Sequence, residues 1–502
     1  MRIAIVGAGL AGLTSARQAI DDGHEVEIFE RFGSVGGIWN PNSGGAYPSV
    51  RMQSSRMSFP FAAFPAQGMR SFPTLDEVHG YLRDYATDAG LDRIIRFEDP
   101  VSRMAKRSGE WHVESRAGEV RVDAVMLATG ELWTPTLPSY LPERPGCTVL
   151  TAKSYRQPEA FAGKRVLVVG GGVSGADIAS ELVGHAASVS WSVRKRALFL
   201  PREWEGVYND DLFSYVARIA VGEMPYADYL ALLHRIMPSY MAMYTETGLL
   251  PSDGFNNAVH VNERIVPLVH AGAIDVVPAF RRFDPDGRVV LADDGTRTYD
   301  AVILCMGYTM ADYGFVEGFR HERLYEHFVY ADDPTLAVIN TPVDTDAYGT
   351  ACPYFEAIAG WVLAIFDGRV TLPSRVEMGR WCEEHMGALT DKRFYDCWLE
   401  TIRLRLLTGT LPSPEGRFDD YWSVIASRVA PSRLIERHPL APAAFDAEMD
   451  MADLKARVLA SLPVAARDRA LAEGRISASE HAASAAVPSG RIIPPHLPYR
   501  AR

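Results

Sequence analysis

Two glycine-rich segments of this chain have the residue types and spacing that bind phosphate groups. In the first, Gly7, Gly9 and Gly12 follow directly after the apolar run 3–6, and Glu30 lies 18 residues beyond Gly12. In a strand–turn–helix unit such glycines allow a tight turn and bring the backbone close to a pyrophosphate, while the helix N-terminus offers free N–H groups. A carboxylate at the end of the next strand can accept hydrogen bonds from ribose hydroxyls. These four residues therefore predict a dinucleotide site.

The same motif occurs again after the apolar run 166–169. The distance from Gly7 to Glu30 is 23 residues, and the same distance from the first glycine of the second motif leads to Val193, which basic residues follow at once. A carboxylate there would repel a 2′-phosphate, whereas a guanidinium binds it through charge-assisted hydrogen bonds. We therefore predict that this second site prefers NADPH to NADH. The residues assigned to it are Gly170, Gly172, Gly175, Arg194 and Lys195.

The elements around both motifs predict the fold. Each glycine turn lies between two β-rich runs, with a helical pattern after the turn, which is the β–α–β unit of a dinucleotide-binding fold. The predicted fold class is α/β, with two nested Rossmann-like dinucleotide-binding domains and a helical C-terminal region. The predicted limits are 1–158 and 298–375 for the first, discontinuous domain, 159–297 for the second domain with a helical insert at about 204–250, and 376–502 for a helical C-terminal extension and tail.

The composition argues against several other classes of protein. The chain has 502 residues, 47% of them hydrophobic, and a formal net charge of −12. An acidic chain lacks the basic stripe of a nucleic-acid surface, and no apolar run approaches the ~20 residues that span a bilayer. Five cysteines without a C-x-x-C pair favour reduced thiols in a cytoplasmic protein. The 13 histidines show no metal-ligand spacing, and the G-x-S-x-G elbow of many hydrolases does not occur.

Over residues 1–375 the sequence resembles the flavin-containing monooxygenases. Single segments are weakly specific, but together they form a distinctive pattern. The matching segments are 7–12, 30–39, 72–86, 128–130, 161–175 and 305–308.

This resemblance implies FAD at the first site and NADPH at the second. In that family NADPH reduces the flavin, the reduced flavin takes up O₂ as a C4a-hydroperoxide, and one oxygen atom passes to a small organic substrate. The implied activity is therefore that of an NADPH- and O₂-dependent monooxygenase, with oxygenation of nitrogen or sulfur favoured. Three alternatives stay open: a Baeyer–Villiger-type monooxygenase, an FAD-dependent NADPH oxidase or reductase without productive oxygenation, and a flavin-holding scaffold or sensor.

The resemblance also implies roles for individual residues, with two departures from the family pattern. Gln53 stands where the family has an Asn in Y-x-x-L-x-x-N, and Thr151 stands where it has a His in F-x-G-x-x-x-H-x-x-x-Y. Gln keeps an amide donor and acceptor but adds a methylene, whereas Thr cannot supply an imidazole. Both positions are predicted to be catalytic. The other implied cofactor contacts are Arg31, Gly37, Trp39, Thr129 and Tyr308.

The expected partners follow from the same reasoning. They are a small-molecule substrate and O₂, with no nucleic acid and no membrane span. A homo-oligomer formed through the insert or the C-terminal helices is left open.

Overall fold

The structure of the protein is a computed structural model. The structure describes residues 1–139, 141–142, 146–252, 259–340, 351–386, 397–434 and 442–487.

The strands are mostly short, and the central strands of the two large sheets are almost entirely buried, as in sheets covered on both faces. In chain order they are β1 (Arg2–Val6), β2 (Glu25–Phe29), β3 (Ile95–Arg96), β4 (Val101–Arg107), β5 (Glu110–Ser115), β6 (Gly118–Val122), β7 (Ala124–Leu127), β8 (Thr148–Thr151), β9 (Arg165–Val169), β10 (Ser188–Ser192), β11 (Leu198–Leu200), β12 (Glu203–Trp204), β13 (Val207–Tyr208), β14 (Val259–Val261), β15 (Asp275–Val277), β16 (Phe280–Phe283), β17 (Val289–Leu291), β18 (Thr296–Arg297), β19 (Ala301–Leu304), β20 (Leu324–Tyr325), β21 (Val329–Tyr330) and β22 (Leu336–Val338).

The helices follow the glycine turns, fill the insert and dominate the C-terminal region. In chain order they are α1 (Leu10–Asp21), α2 (Leu75–Asp88), α3 (Val173–Leu182), α4 (Tyr215–Glu223), α5 (Tyr226–Ile236), α6 (Pro238–Glu246), α7 (Ile265–His270), α8 (Ala351–Phe366), α9 (Arg375–His385), α10 (Cys397–Leu407), α11 (Phe418–Ile425), α12 (Met451–Ala460), α13 (Val464–Ala472) and α14 (Ala478–Ala486).

The first sheet has seven strands in the order β20-β21-β22-β7-β1-β2-β3. β1 pairs in parallel with β2 on one side and with β7 on the other. Ile3, Ala4 and Ile5 are completely buried, because a central parallel strand is covered on both faces. Helix α1 starts directly after the first glycine turn and packs against α8. The first glycine motif therefore lies at the carboxyl end of a central strand, where nucleotides bind in folds of this type.

The second sheet repeats this arrangement with five parallel strands in the order β15-β10-β9-β19-β8. The second glycine motif joins β9 to α3 in the same way. The predicted α/β fold with two Rossmann-like domains and a helical C-terminal region is confirmed.

The sheets place two strands differently from the predicted domain limits. β8 and β19 pair with each other and β19 also pairs with β9, so both belong to the second sheet. Limits at 158 and 298 had assigned these strands to the first domain, and that assignment is wrong. A buried apolar run of four residues identifies a strand, but nothing in it specifies the sheet that it joins.

The helical insert and the C-terminal helices share one hydrophobic core. Tyr215 and Tyr244 of the insert are buried in the same cluster as Ile402, Tyr421 and Leu459. This region is therefore packed onto the second domain rather than extending from it. A surface tail was predicted from Ala482 through Pro495, but residues 482–486 belong to α14 and Ser484 is buried, so that part of the prediction is wrong. Pro494 and Pro495 lie outside the described residues.

The described part of the chain shows neither a membrane-spanning helix nor a metal-binding cluster. It contains no helix that is both long and apolar enough to cross a membrane. Within the same ranges, no group of three or more His, Cys, Asp or Glu side chains could hold a metal ion.

Candidate functional site

The first glycine turn contains two kinds of glycine. A Cβ atom on Gly12 would lie 1.8 Å from the carbonyl oxygen of Gly7, and a Cβ atom on Gly7 would lie 2.4 Å from that of Ala128. These two glycines are therefore required by the packing of strand, turn and helix. At Gly9 the nearest protein atom to such a Cβ is Gly37 Cα at 3.6 Å, an ordinary contact. The fold itself does not require glycine at position 9, so this residue fits a turn whose backbone a ligand approaches closely.

Glu30 follows β2 and is only 4% exposed. Its Oε2 accepts a hydrogen bond from the Ala8 N–H at 2.7 Å, and its Oε1 accepts one from the Phe32 N–H at 2.9 Å. Burial raises the pKa of Glu30 above its ordinary value, against the opposing effect of these hydrogen bonds. Each oxygen keeps a lone pair for a further donor, so the carboxyl group is held beside the glycine turn where ribose hydroxyls would reach it.

Arg31 and Trp39 lie at the two ends of the segment that follows Glu30. The guanidinium of Arg31 lies over the ring of Trp133, 3.9 Å from its centroid. Trp39 is half-buried in a short 3₁₀ turn, Gly37–Trp39, which the positive φ of Gly37 (58°) helps to form. Trp133 was missed by sequence reasoning, because it belongs to a loop and reaches Arg31 only through the fold.

Thr129 belongs to a hydrogen-bonded network around Asn340, a residue that the sequence did not single out. Asn340 is buried; its Nδ2 donates to the Tyr313 hydroxyl at 2.5 Å and to Thr129 Oγ1 at 3.3 Å. Its Oδ1 accepts from the Gly130 N–H at 2.9 Å. The network fixes the turn that follows β7, next to the first glycine turn.

The second glycine turn has the same construction as the first. A Cβ atom on Gly170 or on Gly175 would lie 2.0 Å from a carbonyl oxygen, that of Cys305 or that of Gly170 itself. At Gly172 the nearest atom of the described residues is His260 Nε2 at 3.9 Å, an ordinary contact, so the fold itself does not require glycine here. The residues present therefore fit a second bound dinucleotide.

The basic residues predicted for the second site follow β10 and are exposed. Arg194 and Lys195 lie just beyond Ser192, the last residue of the strand. A Cβ atom on Gly171 would lie 2.7 Å from the Lys195 carbonyl oxygen, so the basic segment runs beside the glycine turn. This position suits recognition of a phosphate on the ribose by a guanidinium.

Tyr308 lies just after β19, on the chain that leads out of the second sheet. It forms an isolated antiparallel bridge with Pro135, and the Thr136 N–H donates to the Gly307 carbonyl at 2.9 Å. Burial raises the pKa of Tyr308. The structure thus places this residue where two connecting segments run side by side, and not on a glycine turn.

Gln53 lies on a loop of the first domain that contacts the second domain; we call residues 45–58 the bridging loop. The Oε1 of Gln53 accepts a hydrogen bond from the Val261 N–H at 3.1 Å, and its carbonyl accepts one from Asn209 Nδ2 at 3.4 Å. Thr151 is elsewhere, at the end of β8, where its hydroxyl shares a 3.3 Å hydrogen bond with Ser154. These hydrogen bonds do not bring the two predicted catalytic residues together.

Asp177 anchors the bridging loop to helix α3. Its Oδ2 accepts a hydrogen bond from the Tyr47 hydroxyl at 2.9 Å, and its Oδ1 accepts one from Asn262 Nδ2 at 2.6 Å. Burial raises the pKa of both Asp177 and Tyr47. Asp177 lies two residues after the last glycine of the second motif, so one side chain joins the bridging loop to the helix that follows the second glycine turn. Sequence reasoning missed it because an acid inside a helix is usually solvated.

Comparison with known proteins gives consistent results. A family model described as flavin-binding monooxygenase-like matches residues 1–407. A human relative named "Putative dimethylaniline monooxygenase (N-oxide-forming) 6" is 30% identical over 430 residues, covering 77% of this chain and 76% of the relative.

Two solved structures show the same fold at lower sequence identity. The S-allyl-L-cysteine S-oxygenase of Allium sativum is 21% identical with a TM-score of 0.57, covering 81% of this chain and 88% of that one. A steroid monooxygenase bound to NADP is 17% identical with a TM-score of 0.61, covering 82% and 98% of the two chains.

Proposed function

Because the chain belongs to the flavin-binding monooxygenase-like family, we propose that it transfers one oxygen atom from O₂ to a nitrogen or sulfur atom of a small organic substrate. The protein is an NADPH-dependent FAD monooxygenase, as its family membership establishes. When bound, the two cofactors supply the hydride and the O₂ chemistry, and the protein contributes binding, orientation and exclusion of water.

The observation that carries this proposal is the pair of glycine turns whose neighbouring strands end differently. Glu30 stands at the end of one strand, whereas Val193 and the exposed Arg194 follow the other. An acid favours an unphosphorylated ribose such as that of FAD, and a base favours the 2′-phosphate of NADPH. The two sites are thereby assigned to different cofactors.

We assign the residues to the two cofactors in that order. Each set combines a glycine turn with the side chains held around it. The proposed FAD contacts are Gly7, Gly9, Gly12, Glu30, Arg31, Gly37, Trp39 and Thr129, and the proposed NADPH contacts are Gly170, Gly172, Gly175, Arg194 and Lys195, with Tyr308 as a further cofactor contact.

Gln53 is the proposed catalytic position between the two cofactors. Its Oε1 is already engaged by the Val261 N–H, so the Nε2 amino group is the donor left to orient a bound cofactor or substrate. Thr151 remains a second candidate. Its hydroxyl can donate or accept a hydrogen bond, but it cannot replace an imidazole as a base.

Nitrogen or sulfur oxygenation is favoured by the human relative, whose name describes formation of N-oxides. The S-allyl-L-cysteine S-oxygenase and the steroid monooxygenase both share the fold, so the fold alone does not distinguish between classes of substrate. Carbonyl oxygenation of the Baeyer–Villiger type is kept as the alternative outcome of the test. A cytoplasmic location and a homo-oligomer also stay predictions.

The test uses the purified protein with its flavin, NADPH and air. A tertiary amine, a thioether and a cyclic ketone are supplied in turn, and NADPH loss, O₂ uptake, peroxide and products are measured. We expect N-oxide or S-oxide in proportion to the NADPH consumed. Ester from the ketone alone, or peroxide as the sole product with every substrate, would contradict the proposal.

A matched variant checks that the measured turnover comes from the second site. In Gly172→Val the added Cβ meets His260 only at an ordinary distance of 3.9 Å among the described residues, so FAD content should be unchanged while NADPH oxidation is lost. Wild-type turnover by this variant would contradict the assignment of the second turn to NADPH.

A further inference from the structure

The part of the bridging loop that follows Gln53 is fastened to one buried carboxylate of the second domain. Asp210 is 2% exposed. Its Oδ2 accepts hydrogen bonds from the Ser55 N–H at 2.6 Å and from the Ser58 hydroxyl. Both serines are themselves buried. Two donors of the loop thus converge on a single oxygen atom of the other domain.

The residue before Asp210 holds the other side of Gln53. Asn209 is also buried, and its Nδ2 donates to the carbonyl oxygen of Gln53 at 3.4 Å. Gln53 is therefore held at its own carbonyl by Asn209 and, two residues later, through Ser55 by Asp210. A small displacement of residues 209–210 would therefore shift the backbone of Gln53, and with it the base of a side chain whose Oε1 is bound by Val261.

The C-terminal extension holds residues 211–214, which follow directly. The Phe445 N–H donates to the Leu212 carbonyl at 2.9 Å, and the Ser214 N–H donates to Asp446 Oδ1 at 2.9 Å. Arg428 Nε donates to Asp211 Oδ1 at 2.9 Å. The family match ends at residue 407, so these partners come from the part of the chain that the family model does not cover.

We propose that Asp210 is a positioning residue for Gln53 and that the described part of the C-terminal extension beyond the family match, residues 408–434 and 442–487, keeps Asp210 in place. The inference rests on the proposed function, since it requires Gln53 to face the bound cofactors. Misplacing an orienting group by about 1 Å can cost roughly a hundredfold in rate. The extension thereby acts on the reaction site through residues 209–214.

Four variants test this proposal. Asp210→Ala removes the one oxygen atom that accepts both hydrogen bonds from the loop. Asp210→Asn keeps an amide oxygen for both donors, and its NH₂ group replaces Oδ1, which has no hydrogen-bond partner in the described ranges. Arg428→Ala loosens the extension from Asp211. Arg417→Ala is the matched control, because its exposed ion pair with Asp420 lies in the same extension but away from residues 209–214.

The kinetic readout is the rate of flavin reduction by NADPH, with FAD content and NADPH KM measured alongside. We expect Asp210→Ala to lower the rate at least about tenfold while FAD content and KM stay near wild type. Asp210→Asn should recover most of the rate, Arg428→Ala should be intermediate and Arg417→Ala should match wild type. Equal defects in Asp210→Ala and Asp210→Asn, or no defect in either, would overturn the proposal.

Hydrogen exchange gives a readout that does not depend on turnover. The amide of Ser55 should exchange faster in Asp210→Ala and Arg428→Ala than in wild type or Arg417→Ala. If the wild type holds FAD but does not oxidise NADPH, the proposed function fails while this measurement still decides how the loop is held. If Asp210→Ala does not fold, Ser58→Ala replaces it, and unchanged exchange and rate in that variant would overturn the proposal.

Discussion

The hydroxyl of Tyr47 donates a 2.9 Å hydrogen bond to Oδ2 of Asp177, and this bond joins the two nucleotide-binding domains. Tyr47 belongs to the bridging loop of the first domain, whereas Asp177 lies on α3, directly after the second glycine turn. The other oxygen of Asp177 is bound by Asn262, the residue after Val261, whose N–H holds Gln53. One half-buried carboxylate thus links the second turn directly to Tyr47 and, through residues 261–262, to Gln53.

Removing the Tyr47 hydroxyl should destabilise the protein more than an ordinary Tyr→Phe substitution. In Tyr47→Phe the half-buried Oδ2 of Asp177 loses its donor, and hydrogen bonds to charged groups contribute about 1.5–3 kcal/mol. Urea unfolding measures the loss. The control is Tyr240→Phe, whose hydroxyl donates to the neutral Phe199 carbonyl and should cost about 0.5–1.5 kcal/mol. Equal losses in the two variants would contradict this prediction.

Stability should depend on pH through Asp177. Burial raises the pKa of this carboxyl group in the folded protein, whereas the unfolded chain has the ordinary value of about 3.9. The contribution of Asp177 to the free energy of unfolding is therefore fully present below the ordinary pKa and is lost as the pH rises through the folded pKa. Asp177→Asn cannot titrate, so the free energy of unfolding of wild type minus that of the variant should fall across this window. Urea titrations at a series of pH values measure the difference, and a value independent of pH would refute the prediction.

Arg194 should distinguish the two nicotinamide cofactors. Arg194→Ala should raise the KM for NADPH by about tenfold to a hundredfold, since one charged hydrogen-bonding group is worth about 1.5–3 kcal/mol. The KM for NADH should change little, because NADH lacks the 2′-phosphate. Steady-state kinetics with both cofactors measure the effect. Arg281→Ala, at an exposed arginine of β16 that pairs with Asp294, is the control, and equal shifts for both cofactors would count against the assignment.

Substitutions at Gly9 and Gly12 should impair the protein in different ways, the first through FAD binding and the second through folding. Gly9→Val should leave the flavin-free protein folded, because a Cβ there meets only Gly37 at ordinary distance, but it should abolish FAD retention by occupying the space of the pyrophosphate. Gly12→Ala should prevent folding, since its Cβ would lie 1.8 Å from the Gly7 carbonyl oxygen. Far-ultraviolet circular dichroism and the ratio of FAD to protein separate the two effects. Full flavin content in Gly9→Val would disprove close approach of the ligand.

Much of the fold could be predicted from local patterns. The two glycine turns, the strands before them and the helices after them are encoded within about 30 residues, the length of a β–α–β unit. The sheet that β8 and β19 join was predicted wrongly, because four buried apolar residues fit either sheet equally well. The roughly helical spacing of Tyr226, Tyr229, Tyr240 and Tyr244 favours a core or an interface over a substrate wall. Tyr229, Tyr240 and Tyr244 are buried in the core, whereas Tyr226 is half-buried.

Local residue patterns were sufficient to predict the two phosphate-binding turns, the different charge at the ends of their neighbouring strands and the family, because these depend on residue types at fixed short spacing. The contact between Val261 and Gln53, which are separated by 208 residues, and the attachment of the bridging loop to the second domain through Asp177 and Asp210 became visible in the folded molecule alone. Such contacts arise when the sheets and the C-terminal helices pack together. Their energies depend on burial and on the direction of each donor, and neither is encoded in local spacing.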